Sequence, residues 1–487
     1  MKSSIKHINI LLVTLALSLG ACKDSFLDLK NPQSLPLNGT IKDLATLTTA
    51  GNGAYAQLKD VNYYGRSFLV IPELFGDNAF VSRSNGGRYQ EENLLAITRE
   101  SGVGVSAWAA MYRTIVNANI TITEGEKLPV LAAHNQVIGE MYALRALAYF
   151  DLVRLFAQPY NFTANASHLG VPLVLERKDE LIKPARSTVA EVYDQIVSDL
   201  KKSLTLMTTA QKPAKFTPTA ANGLLAKVYL YMEDWENAEK YATDAIAGPY
   251  TLLARTAYVT SWANKFSVES LFEVGTLTTD NLAANSIGYF YEQAGYGEGL
   301  ATQDLYSKYT ASDVRRSLIQ VGVRSVTFEN PAYFVKKYPK GTSTRDDNLK
   351  VLRLSEVYLI RAEARAELGR ADATKNAGAL SDLNMIAQRA DAAALALAGL
   401  TGDDLVERIL LERRKELAFE GNRFFDLTRR KKNVDHWVSE TNLSPTAPTL
   451  PTPPVTFTYP NEKFVYPIPF AEITANPNIK QNPGWVQ

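Results

Sequence analysis

The sequence predicts a mainly α-helical fold in which antiparallel helical pairs frame an irregular, loop-rich subdomain containing short strands. Three observations predict it. Apolar residues recur at helical spacing through most of 41–62, 106–250 and 351–432. Two of these stretches read as close-packed helix pairs, with small residues where the helices would touch. Between them, Tyr63–Arg99 and Pro249–Lys350 are rich in Gly, Tyr, Asn and Ser and keep no helical period. That is the pattern of long loops and short strands inserted into a rigid frame, where function usually sits.

Composition narrows the function classes. The 487 residues suffice for two ordinary domains or one large one, and 46% hydrophobic with 21% charged residues is ordinary for a globular protein. The formal charge is +1. Residues 1–21 hold Lys2 and Lys6 and no acid, so a chain starting at Cys22 carries +1 − 2 = −1. Near neutrality gives no electrostatic reason to expect nucleic acid as a partner. One cysteine excludes an intrachain disulfide, and one Cys with four His leaves little for a zinc or redox site. No metal or cofactor is expected.

The N-terminus reads as an export signal. Lys2 and Lys6 precede an apolar run from Ile8 to Leu19, too short to span a membrane. Leu19-Gly20-Ala21-Cys22 then resembles a bacterial lipobox. Cleavage before Cys22 and its acylation would anchor the chain stably; a plain secretory signal is the alternative. Residues 23–40, with Pro32, Pro36 and Gly39, read as a tether.

Helices follow in order: one around Leu44 and Leu47, then Ala107–Thr123, Asn135–Phe156 and Thr188–Leu206. Ala220–Ala247 is a pair, with Leu225, Ala226 and Tyr229 facing Ala238, Ala242 and Ala245. Its spacing resembles a tetratricopeptide repeat. Arg353–Ala390 repeats the theme across Gly369. Trp108 and Trp262 are expected in the core. The tail from Ser444 should lie extended over the body, with Trp485 as a plug.

Glu407–Arg430 is the densest stretch. Leu405, Val406, Ile409, Leu410 and Leu417 make an apolar stripe, and Arg413, Glu416 and Glu420 would share one helix face ended by Gly421. Alternating charges without a nearby His or nucleophile read as a semi-buried ion-pair network; a catalytic acid pair is the alternative.

Glu412 to Leu427, Glu-Arg-Arg-x-Glu-Leu-x-x-Glu-Gly-x-Arg-x-x-Asp-Leu, resembles the signature of the SusD/RagB family. So do Arg353–Ala364, Pro72–Asn78 and the ending Gln481–Trp485. The resemblance implies a signal peptide at 1–21, a lipidated tether at 22–40 and a single SusD-like domain at 41–487. Its helical frame would cover about 41–62, 106–250 and 351–432, and its irregular subdomain about 63–105, 251–350 and the tail 433–487. It further implies a surface-exposed, lipid-anchored protein of the outer membrane, beside a SusC-like TonB-dependent transporter, binding oligosaccharides or sometimes peptides.

A non-catalytic glycan site needs aromatic faces and a few orienting polar groups. The irregular segments offer Asp77, Asn78, Arg83, Tyr89, Tyr289, Tyr291 and Tyr296 as ligand-binding candidates. Gly lets such loops turn and push side chains outward, and Tyr presents a broad face with few rotatable bonds. A neutral glycan would bind with little salt dependence. A glycoside hydrolase would use paired carboxylates, yet no nucleophile elbow, metal-ligand spacing or phosphate loop is present. A peptide- or protein-binding tetratricopeptide-like scaffold is the third reading.

Overall fold

The computed structural model describes residues 39–176, 182–209, 214–324, 329–436 and 455–485. Eleven helices carry the frame: α1 Leu44–Ala56, α2 Ser67–Phe75, α3 Gly102–Gly125, α4 Ala132–Phe156, α5 Val189–Leu206, α6 Pro218–Met232, α7 Trp235–Ile246, α8 Leu354–Leu368, α9 Lys375–Ala390, α10 Gly402–Glu416 and α11 Arg423–Arg429. Local chemistry sets their starts. Thr188 and Glu191 close a reciprocal capping box on α5, and Thr217 caps α6 with Pro218 in its first turn. Small residues then set the packing. Ala220, Ala226, Ala238, Ala242 and Ala245 are fully buried where α6 meets α7, and Tyr229 stacks on Tyr241 with centroids 5.5 Å apart. Neighbour packs on neighbour, α3 through α8 in series, with α1 on α3 and both α9 and α10 on α8. Trp108 and Trp262 are core residues, as the sequence predicts.

The inserted segments build small antiparallel sheets. β1 (Ala79–Val81), β3 (Gly299–Ala301), β5 (Ala332–Val335) and β4 (Ile319–Gly322) form a sheet in the order β1-β3-β5-β4, with β4 on an edge. β2 (Ser270–Val274) pairs with β6 (Leu349–Arg353), and β7 (Val434–His436) with β8 (Val455–Phe457). Phe80, Leu300, Ala332 and Phe334 pack together on one face of the larger sheet. The loop carrying Gly297 crosses that face, so close that a Cβ at Gly297 would meet Phe334 at 3.2 Å.

Three local expectations are corrected. Ser67–Phe75, read as irregular, is the helix α2. It is buried on every side, so it shows no amphipathic period, and Pro72 lies inside it. α10 ends at Glu416, so Glu420 is not on one helix face with Arg413 and Glu416. A turn follows in which Phe419 and Gly421 take φ +65° and +75°. Gly421 serves close approach to α2 rather than a helix cap: its Cβ would meet Phe68 O at 3.0 Å. Trp485 is only half-buried, under Lys463 Nζ at 3.5 Å. Phe464, Tyr466, Ile468 and Ile479 of the tail enter the core.

Among the described residues no helix is long and apolar enough to cross a membrane. Cys22 lies outside the described residues.

Candidate functional site

The densely charged stretch is a buried lattice. Glu416 Oε1 accepts from Arg353 Nη1 (3.0 Å), Arg389 Nη2 (2.7 Å) and Tyr258 OH (3.1 Å), and Oε2 from Arg315 Nη1 (3.1 Å). Glu420, beyond the helix, reaches the same Arg353 at 2.7 and 2.8 Å and Lys337 at 2.6 Å. Arg413 and Arg429 hold Asp426, and Arg429 also holds Glu363. Burial alone would raise these carboxyls, but the surrounding cations hold Glu416, Glu420, Glu363 and Asp426 below their ordinary values. A carboxylate so saturated with cations has neither the exposure nor the free lone pairs of a catalytic acid. The lattice clamps α8, α9 and α10 onto the irregular subdomain.

Four of the seven candidate ligand residues belong to this frame, a correction to their expected exposure. Asp77 sits between Arg423 (2.5 and 2.7 Å) and Arg414 (3.4 Å). Burial raises its carboxyl, and the two guanidinium groups outweigh that. Asn78 bridges Glu73 and Arg414. Tyr89 turns inward, its hydroxyl bonded to Arg66 and Ser67 and its ring on Phe290. Tyr291 is fully buried between Tyr338 and Phe419. Apolar or cationic partners pull each of them in, and composition alone does not register such partners.

The other three share an accessible rim. Tyr289 and Tyr296 are half-buried and perpendicular, with centroids 4.8 Å apart, joined by Tyr296 N–H donating to Tyr289 O at 2.7 Å. Gly295 makes this turn possible, since a Cβ there would lie 2.4 Å from Tyr289 O. Arg88 covers the Tyr296 ring at 3.6 Å and Arg345 the Tyr289 ring at 4.9 Å. Arg83 is exposed on the neighbouring loop, which Gly86 N–H and Arg88 tie to Glu298, both at 2.9 Å. Gln320 on the β4 edge donates to Gln293 at 3.1 Å, and Val321 beside it is 49% exposed. Val321, paired with Tyr333, faces the other side of the sheet. Aromatic rings and side-chain amides therefore lie on neighbouring loops and the β4 edge. That combination can cover the CH face of a pyranose while orienting its hydroxyls.

Sequence reasoning missed Arg88, Gln293, Gln320 and Arg345. Gly86-Gly87-Arg88 and the turn after Gly341 carried a local signal for two of them, since glycine-rich turns present the side chains beside them. Nothing local marked the two glutamines, since Gln293 lies in a loop and meets Gln320 of β4 only in the folded chain. A larger cavity of about 310 Å³ lies between α3 and the tail, lined by Trp108, Tyr112, Val174, Glu472 and Ile479. It is mainly apolar, and none of the predicted residues reaches it.

Two family models match the chain. One, described as the SusD family, matches residues 284–485; the other, described as starch-binding associating with outer membrane, matches 25–230. SusD-like protein P2 of Formosa agariphila is 25% identical, covering 99% of this chain and 100% of its own length. A Bacteroides vulgatus protein described as sugar-binding superposes with a TM-score of 0.80 at 32% identity, over 92% of this chain and 100% of that one. A SusD superfamily protein of the same organism gives 0.82 at 30% identity, again over 92% and 100%.

Proposed function

Because the chain belongs to the SusD/RagB family, we propose that it is a non-catalytic surface lipoprotein that captures oligosaccharides for import. Cys22 is its lipidated residue after removal of 1–21, and a SusC-like TonB-dependent outer-membrane transporter receives the glycan. The description of one matching family model, which names starch binding and outer-membrane association, supports the carbohydrate and the location. One observation carries the reading within this chain: Tyr289 and Tyr296 stand as an accessible perpendicular pair flanked by Arg88 and Arg345.

Two carboxylates near that pair are engaged by neighbouring groups, which supports binding. Glu298 is taken by Arg88 and Gly86 N–H, and Glu292 by Thr342 and Lys336. A glycosidase needs two carboxyls free to act on opposite sides of a glycosidic bond. The test is titration of the purified chain against soluble oligosaccharides and against peptides of similar size. Saturable glycan binding without product formation supports the reading. Peptide binding without glycan binding would replace it with the scaffold reading.

A further inference from the structure

Arg345 is fixed through its backbone, while among the described residues its guanidinium has the Tyr289 ring as a neighbour and no carboxylate partner. It takes φ +56°, uncommon outside glycine, and such conformations gather at functional turns. Its N–H donates to Lys340 O at 2.8 Å, and Asn281 Nδ2 donates to Thr344 O at 3.2 Å. Asp346 is fixed by Lys265 (2.7 Å) and Thr278 (3.0 Å). Gly288 abuts the same turn so tightly that its Cβ would lie 2.8 Å from Gly341 Cα, which sets Tyr289 beside Arg345. Yet Arg345 Nε is buried with no hydrogen-bond acceptor among the described residues. A buried charged donor left without an acceptor is costly and rarely tolerated without a reason.

Beside Arg345 lies a cavity of about 50 Å³, walled also by Lys59, Asn281, Ser286 and Gly288. This is room for a few water molecules. It admits one carboxylate or sulfate group and excludes a whole sugar ring. The acidic residues of the wall oppose an anion only weakly. Asp280 is paired with Lys59, and burial pushes the Asp347 carboxyl up to about 7 against its bond from Lys340 N–H.

We propose that the glycan captured on Tyr289 and Tyr296 is acidic, and that its carboxylate or sulfate enters this cavity to pair with Arg345. The inference rests on the glycan-capture reading and adds the charge of the ligand to it. With the sugar ring on the tyrosines, a turn of the Arg345 side chain brings Nε to the cavity, and two anionic oxygens accept side by side from Nε–H and one Nη–H, so Nε gains its acceptor. Carboxylates and sulfate esters present the same edge to the guanidinium. The salt-independent binding expected of a neutral glycan gives way to binding that weakens as salt rises.

The experiment is calorimetry of the full chain in detergent with matched probe pairs. These are oligogalacturonate and oligoalginate, each with its carboxyl-reduced form, and a carrageenan oligosaccharide with its desulfated form. Wild type should prefer the acidic member of at least one pair by about tenfold or more, and the pair that discriminates tells carboxylate from sulfate. Arg345→Gln should bring the two members within about twofold of each other, whatever the change in their common affinity; Arg345→Lys should keep part of the preference. Since the guanidinium makes only the contact with the half-buried Tyr289 ring, both variants should melt within a few degrees of wild type. Equal binding of acidic and neutral members by wild type overturns the inference and leaves glycan capture standing. An acidic preference unchanged in Arg345→Gln also overturns it. Failure of every probe to bind counts against glycan capture itself, and the inference falls with it.

Discussion

Arg423 grips both carboxylate oxygens of Asp77, Nε at 2.5 Å and Nη2 at 2.7 Å, across 346 residues of sequence. This bond ties α11 to the turn just after α2, joining two helices of the frame that are far apart in sequence. Both side chains are mostly buried. Asp77→Ala would leave two guanidinium groups short of a partner, costing about 3–5 kcal/mol of stability. The double variant Asp77→Ala/Arg423→Ala should lose clearly less than the sum of the single losses, measured by thermal or denaturant unfolding. Additive losses would show that the pair does not act as a unit.

Glu416 is the hub of the lattice, facing Arg315, Arg353 and Arg389. Glu416→Ala should destabilise by about 3–5 kcal/mol and lower the yield of folded protein, because three buried cations lose a shared anion. A variant that melts as wild type does but no longer binds glycan would transfer Glu416 from the frame to the site.

Stability should peak in mildly acidic solution. Glu416, Glu420, Glu363 and Asp426, the last at about 2, have folded values below their unfolded ones. Their contribution is therefore complete above about pH 4.5 and is lost as pH falls towards 2. Burial pushes Glu92 and Asp347 the other way, each to about 7. For these two, stability declines as pH rises from about 4.5 to 7, where the unfolded chain sheds protons that the folded chain keeps. Melting temperature against pH should fall on both sides, and Asp347→Asn should flatten the upper limb. An upper limb of unchanged slope in that variant would contradict the assignment.

The helical frame was legible in the sequence because amphipathic period and small-residue spacing are local properties. Ala238, Ala242 and Ala245 announce their packing without knowledge of the rest of the chain. α2 was not legible, since a helix buried on all sides loses its period. Surface position was half legible. Gly-rich loops point to Tyr289 and Tyr296, which are half-buried, but the same rule gathers Asp77, Asn78, Tyr89 and Tyr291, which are buried. Whether such residues face in or out depends on partners hundreds of positions away, Arg423 for Asp77 and Phe419 for Tyr291.

The proposed anchor has its own test. Cys22→Ala should move the protein from the membrane fraction to the soluble fraction, since several acyl chains are needed for stable attachment. Gentle detergent extraction of the unmodified protein should bring a large β-barrel protein with it. Tight membrane association of the variant would refute lipidation at Cys22, and repeated recovery of the lipoprotein alone would count against the transporter.

The central claim is that the Tyr289–Tyr296 pair is the glycan platform, and calorimetry of a double variant tests it most directly. Tyr289→Ala/Tyr296→Ala should weaken binding of the glycan that wild type binds by about tenfold or more, or about 1.4 kcal/mol. Its melting temperature should change little, because both rings are only half-buried. Tyr291→Ala serves as the contrast: it empties a core position and should cost about 3–5 kcal/mol of stability. Unchanged affinity in a folded Tyr289→Ala/Tyr296→Ala protein would contradict the account and move the site away from this rim, with the Trp108–Tyr112 cavity next in line.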